Sequence, residues 1–151
     1  MRNNHFGLKH LGSILCVTLL LTSCRSAGKR PDNTVHGSQA SYILTATGLL
    51  QAYSSNLATA DAKYRDKVIY LTGPVDEVES DLIGGYSVNL RAGAEWYDIV
   101  SCKFSTGQRD HLVKLSRGNY VRIKGRCSGK IPTLTLSECV LVDEKGAPLD
   151  E

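Results

Sequence analysis

Between residues 68 and 142 the chain repeats one pattern five times: a short run with apolar side chains at every second position, closed by a cluster of turn residues. An alternation of period two puts the apolar groups on one face of a strand. The first run sets Val68, Tyr70 and Thr72 against Ile69 and Leu71, and resumes through Val75 and Val78 after Gly73-Pro74. Glycine permits a sharp bend and proline donates nothing to a ladder, so a bulge or corner is expected there. "ESDLIGGY" turns into a second run that aligns Tyr86, Val88 and Leu90. "RAGAE" leads to a third, over 97–104, with Val100, Cys102 and Phe104 on one face. The fourth, over 120–127, opposes Val121, Ile123, Gly125 and Cys127 to Arg122, Lys124 and Arg126. "SGKIP" precedes the fifth, over 134–142, whose parity slips near Ser137-Glu138 and predicts a second bulge.

Helical spacing occurs twice. Ile43, Ala46, Leu50, Tyr53, Leu57, Ala60 and Tyr64 recur in steps of three and four. That stripe predicts one helix of about six turns, starting near Ser41 and docked on the strands. Between the third and fourth strands, Ser105 and Gln108 have capping-box spacing, Leu112 and Leu115 give a short apolar edge, and Gly118 suits a left-handed C-cap. The expected class is mostly β (α+β): an N-terminal helix plus a five-stranded OB-fold barrel with a short helix between strands 3 and 4. Closing the sheet removes the edges that an open one would leave unpaired.

The N-terminus sets the address. Arg2 and Lys9 precede an apolar stretch over 11–23, which is shorter than the roughly 20 residues a membrane span needs. A basic start, a short apolar core and small residues at its end read as a secretory signal. The residue after them is Cys24, and Leu21-Thr22-Ser23-Cys24 resembles the lipobox of bacterial lipoproteins. The resemblance implies lipidation of Cys24 and cleavage before it. Acyl chains hold a protein to a bilayer at about 0.8 kcal/mol per buried methylene. Residues 25–39 are polar and aperiodic, with Pro31, and read as a flexible tether. The expected organisation is a leader over 1–23, a tether over 24–40, the barrel domain over 41–144 and a polar, frayed tail over 145–151.

Charge and residue inventory then narrow the function. Losing Arg2 and Lys9 with the leader takes the formal charge from +3 to +1, so the domain has no general pull on nucleic acid. OB barrels bind strands of nucleic acid with stacking aromatics and a cationic groove. The candidate ligand surface is therefore Tyr86, Trp96 and Tyr97 with Arg122, Lys124, Arg126 and Lys130. The first loop carries Asp76, Glu77, Glu79 and Asp81, which repel phosphate. Nucleic acid is thus the less favoured partner. The expected partners are the membrane, through the lipid anchor, and an envelope protein or other envelope ligand. The alternative is an extracytoplasmic barrel for oligonucleotides or oligosaccharides.

His36 lies in the tether, His111 has no facing partner in sequence, and no HExxH, GxSxG or phosphate-loop pattern occurs. Neither catalysis nor a cofactor is expected. Beyond the leader and Cys24, three cysteines remain: Cys102, Cys127 and Cys139. Without a CxxC spacing they point to a disulfide rather than a metal site. Three allow one disulfide with one thiol left over, and spacing does not fix the pair.

The stretch "NLATADAKYRDKVIYLTGPV" places Asn56, Ala60, Asp61, Lys63, Tyr64, Lys67, Ile69, Thr72, Gly73 and Val75 in a pattern. "CKF", "LSRGNYVRIKGRCSG" and "LTLSECVLV" follow in order. Across 41–142 the chain resembles the tRNA-anti-like OB-fold family; Pro74 and Trp96 depart from its pattern. The resemblance implies an OB-fold, often in a secreted or lipid-anchored bacterial protein, and no set activity. It also implies a Cys127–Cys139 pair, although a regular hairpin register would leave those two out of line.

Overall fold

The computed structural model describes residues 34–82 and 84–149. The expected leader, the lipidation site Cys24 and the tether as far as residue 33 lie outside the described residues, as do 150 and 151. The elements in chain order are β1 (Tyr42–Thr45), α1 (Ala46–Ser55), α2 (Leu57–Tyr64), β2 (Val68–Ser80), β3 (Tyr86–Arg91) and β4 (Ile99–Phe104). A 3₁₀ turn (Thr106–Gln108), α3 (Arg109–Leu112), β5 (Tyr120–Lys130) and β6 (Leu134–Val142) complete them. The strands order as β1-β2-β3-β4-β6-β5, and a further β2–β5 pairing closes five of them into a barrel. Within it β4 and β6 run parallel and the other neighbours antiparallel. This is the OB-fold barrel that the alternation predicts.

The expected single helix is three elements. Tyr42, Ile43, Leu44 and Thr45 pair parallel with Ile69, Tyr70, Leu71 and Thr72 as the edge strand β1. Aromatic and β-branched residues favour that pairing once a partner strand is present. Thr45 then caps α1, its hydroxyl accepting from Gly48 N at 3.0 Å. Asn56 interrupts the helical run in extended conformation. Its N–H donates to Ala52 O at 3.2 Å, ending α1, and its side-chain oxygen accepts from Thr59 N at 3.0 Å, starting α2. Ile43 and Leu57, two members of the stripe, are exposed, whereas Ala46, Leu50, Tyr53, Ala60 and Tyr64 join the core together with Leu49.

Bulges shape the barrel. β2 runs unbroken through Gly73-Pro74, and its register shifts just beyond, between Val75 and Glu77. The expected slip in β6 is present: β5 and β6 change register twice, and Glu138 sits at φ 53°. Gly125 lets the two strands close up, because a Cβ there would stand 2.7 Å from Cys139 Sγ. Leu49, Ile69, Leu71, Val88, Leu90, Val100, Ile123 and Leu136 fill the interior with no exposed surface. Each such aliphatic side chain contributes about 1.5–3 kcal/mol on burial.

The described residues on either side of the barrel, 34–41 and 143–149, are tied down further than the sequence suggests. Val35, within the expected tether, is buried with Val68, Val140 and Val142. Ser41 N donates to Val68 O at 2.7 Å. The tail is not frayed up to Leu149: residues 143–147 turn on Asp143, and Leu149 N donates to Leu141 O at 3.0 Å. Gln108 does not form the expected capping box, and Ser105 makes no side-chain cap. Instead Gln108 is buried. Its amide donates to Leu141 O (3.2 Å) and Leu149 O (2.9 Å) and accepts from Leu141 N (2.6 Å). A buried amide that can reach three main-chain groups is better satisfied there than at a solvent-facing cap.

Candidate ligand groove

The outward face of β2 and β3 meets the β3–β4 connection in a groove of about 530 Å³. Asp76, Glu77, Glu79, Asn89, Arg91 and Ile99 line it from the strands, Trp96 and Tyr97 from the connection, and Arg117 and Thr133 from the loops flanking β5. The connection is compact. Ala92 N donates to Asp98 O at 2.7 Å, and the Asp98 carboxylate accepts from Glu95 N at 3.2 Å. That turn leaves Trp96 79% and Tyr97 60% exposed. Their rings meet edge to face, 5.5 Å apart between centroids.

The groove's two cations are already engaged. Arg91 pairs with the Asp76 carboxylate. Arg117 approaches the same oxygen at 3.6 Å and donates from Nε to Asp76 O at 3.0 Å. The bulge after Val75 aims Asp76 at both, and Gly118 N clamps that point by donating to Val75 O at 2.8 Å. Glu77 faces Asn89 across the β2–β3 ladder, and Glu79 faces Ser87. Asn89 is only 7% exposed, and its side-chain oxygen has no donor among the described residues.

The ligand surface expected from sequence therefore divides. Trp96 and Tyr97 belong to the groove; Tyr86, Arg122, Lys124, Arg126 and Lys130 do not line it. Tyr86 accepts from Arg109 Nε at 2.9 Å at the far end of β3. Arg122 donates to Glu144 O. Arg126 donates to Asp66 O at 3.1 Å and stands 3.6 Å from Glu138. Lys124 is buried, donates to His36 O at 3.1 Å and lies 6.0 Å from the Tyr70 ring centroid; burial lowers its pKa. The alternation of β5 correctly puts these three on the outer face. It does not reveal that the chain's own segments cover that face. The alternation of Tyr86, Val88 and Leu90 turns Asn89 and Arg91 outward, a signal that could have marked them for the site, whereas no sequence pattern marks Arg117.

A larger hollow, about 700 Å³, lies between Leu115, Tyr120, Val121, Leu141 and Leu149. Its rim mixes His111, Lys114 and Arg122 with Asp143 and Glu144. Neither of the buried side-chain oxygens without a partner among the described residues, on Asn89 and Asp61, lines it.

The profile of the tRNA_anti-like family matches residues 3–141. The chain belongs to the tRNA_anti-like family. Among solved structures, it is similar to a lipoprotein from Klebsiella pneumoniae subsp. pneumoniae to which nucleic-acid binding is provisionally ascribed. That similarity has a TM-score of 0.56 at 20% identity, over 67% of this chain and 91% of the other. A chain of the yeast Stn1 and Ten1 crystal structure aligns with a TM-score of 0.41 at 16% identity, over 76% of this chain and 69% of that one. No curated protein matches. At these identities the likeness is one of fold.

The tRNA_anti-like motif residues prove structural. Ala60 and Tyr64 are core, and Arg65 pairs with Asp61 at 2.8 Å beneath Gly129. The Arg65 guanidinium holds the Asp61 carboxyl below the usual range. The expected Cys127–Cys139 disulfide is not formed: all three cysteines are buried free thiols. Cys127 pairs in register with Leu136 and its sulfur lies 3.4 Å from Tyr53 Oη, whereas Cys139 pairs with Phe104 and meets Cys102. The bulge in β6 between Ser137 and Val140 therefore sends the two thiols to different neighbours. Burial raises the pKa of Cys127, of Cys139 and of Tyr53.

Proposed function

We propose that this tRNA_anti-like OB-fold protein is a lipid-anchored binding module of the bacterial envelope, which takes its ligand in the groove beside Trp96 and Tyr97. The observation that carries the reading is that aromatic pair, exposed at the mouth of a groove in the barrel's side. Aromatic side chains are costly to leave in water and dominate binding hot spots. The lipobox-like Leu21-Thr22-Ser23-Cys24 and the fold shared with a lipoprotein support the anchor.

Trp96 is the single tryptophan of the chain, so its fluorescence reports on the groove alone. With 5-fluorotryptophan at position 96, so that envelope proteins stay silent, the expected result is a saturable change in its fluorine-19 signal with an envelope fraction, lost in Tyr97→Ala. A signal that no envelope fraction alters would refute groove binding. For the anchor, Cys24→Ser should leave the membrane pellet for the soluble fraction; unchanged sedimentation counts against lipidation.

A second reading, binding of single-stranded nucleic acid, draws on the function ascribed to the Klebsiella lipoprotein. The groove's chemistry does not favour it. Strand binding couples stacking to free cations that track phosphates. Here both arginines are committed to Asp76, and Glu77 and Glu79 face outward.

A further inference from the structure

Resting on the reading of the groove as the ligand site, we propose that its occupant is a basic peptide segment of a partner protein, extended along β2 with lysine or arginine at alternate positions. Three independent features of the groove point to that chemistry.

The first is charge. Asp76 is neutralised by Arg91 and Arg117, and among the described residues no lysine or arginine pairs with Glu77 or Glu79. Anything that fills the groove must compensate those carboxylates or strip them of water at a cost. Cationic side chains cancel that charge; phosphates repel it, and sugar hydroxyls can donate hydrogen bonds to it but leave the charge uncancelled.

Spacing is the second. Glu77 and Glu79 lie two residues apart beyond the bulge, with Val78 between them pairing with Val88 in regular register. Two residues of strand span about 6.6 Å, and the same-side chains of any extended peptide repeat at that interval. A chain laid along β2 with cations at alternate positions therefore meets both carboxylates in step.

Third comes an unanswered acceptor. Asn89 stands opposite Glu77 among the residues lining the groove, more than nine-tenths buried, with a side-chain oxygen that no donor among the described residues reaches. A buried acceptor without a partner is rare, and leaving it so costs free energy. A turn of its amide toward the groove offers that oxygen to an ammonium, guanidinium or main-chain N–H of the ligand. Trp96 and Tyr97 at the mouth give a cation a ring face to rest on.

The test uses the full-length protein in detergent, read by Trp96 fluorescence, with three probes: a seven-residue peptide with lysines at alternate positions, its isomer with the same lysines adjacent, and a ten-nucleotide oligothymidylate. The alternating peptide should saturate the signal below ~1 mM and bind about tenfold more tightly than the isomer. E77Q/E79Q alters only exposed side chains, so the fold should stay intact by circular dichroism while affinity for the alternating peptide drops about tenfold. Saturation by oligothymidylate alone, unchanged or strengthened in E77Q/E79Q, overturns the peptide proposal and leaves groove binding standing. Equal binding of the two peptides overturns the alternating geometry. A Trp96 signal that answers neither these probes nor any envelope fraction removes the groove reading itself.

Discussion

Replacing Gln108 with leucine should loosen the C-terminal return and destabilise the whole barrel. The substitution keeps the volume and removes three hydrogen bonds at once. Leu141 N–H, buried in β6, donates to Gln108 Oε1 and, losing it, would be left unsatisfied, at about 1–3 kcal/mol. Leu141 O keeps its bond from Leu149 N, and Leu149 O can turn to water, so the two amide donations together contribute about 1–2 kcal/mol. The new leucine gives back about 1 kcal/mol by burying apolar surface in place of amide. The net loss is about 1–4 kcal/mol, which lowers the melting temperature of a domain this size by about 4–16 °C. Urea titration measures the loss, and amide exchange locates it. The amides of Leu141 and Leu149 should exchange at rates set by local opening, while those of Ile69 and Leu71, in the barrel wall, follow global unfolding. A melting temperature within about 3 °C of the parent, with Leu141 still protected, would show that Gln108 is not what holds the return.

Further outcomes follow from other contacts. Asn56→Ala removes the side-chain oxygen that accepts from Thr59 N, and should cost about 1 kcal/mol in urea titration. In Gly125→Ala the added methyl would meet Cys139 Sγ and, at 3.2 Å, Leu136 Cβ, costing about 1–3 kcal/mol. Adding Cys139→Ala to it should recover part of that loss, a coupling that a double-mutant cycle would detect. Stability should also decline at alkaline pH. Cys127, Cys139 and Tyr53 have folded pKa values raised by burial, so they stay protonated while the unfolded chain ionises. Their contribution is whole below the ordinary thiol pKa of 9.0 and fades above it. Lys124 has the opposite slope: its folded pKa is lowered, so stability from it grows as pH rises toward 10.5. Lys124→Met should therefore steepen the alkaline decline, and parallel pH profiles for parent and variant would contradict that.

The barrel was legible because period two survives in every strand. Five runs and the bulge near Ser137-Glu138 can be read from parity, since a one-residue slip moves a whole face from core to solvent; the bulge in β2 was expected from Gly73-Pro74 and lies just beyond it. The N-terminal helix was over-read because Tyr42-Ile43-Leu44-Thr45 fits a helical stripe as well as a strand, and only the free edge of β2 decides between them. Asn56 carries a cap signal that the continuous stripe concealed. Gln108 has the spacing of a capping box, and its real partners lie 33 and 41 residues away, beyond any local pattern. The aromatic half of the candidate site was legible in Trp96 and Tyr97. The cationic half was not, because a solvent-facing parity does not say whether another segment will lie on top.

That covering segment explains why the basic strand and the acidic groove coexist in one small barrel. Arg122, Lys124 and Arg126, at alternate positions of β5, each donate to a main-chain carbonyl of a different flanking segment. Glu144 belongs to the C-terminal return, His36 to the N-terminal approach and Asp66 to the α2–β2 turn. Three parallel cations thus clasp both ends of the domain and one connection to the outer face of a single strand. A cation spent on a carbonyl in this way offers little to a phosphate, and hydrogen bonds from charged donors are among the stronger ones to break. Neutralising all three would then be expected to free the segments over 34–41 and 143–149 before it altered ligand affinity. In Arg122→Gln/Lys124→Met/Arg126→Gln, limited proteolysis should cut near 34–40 and 143–149 while Trp96 still reports ligand in the groove. Loss of ligand binding with both ends still resistant would mean that β5, and not the groove, is the recognition surface.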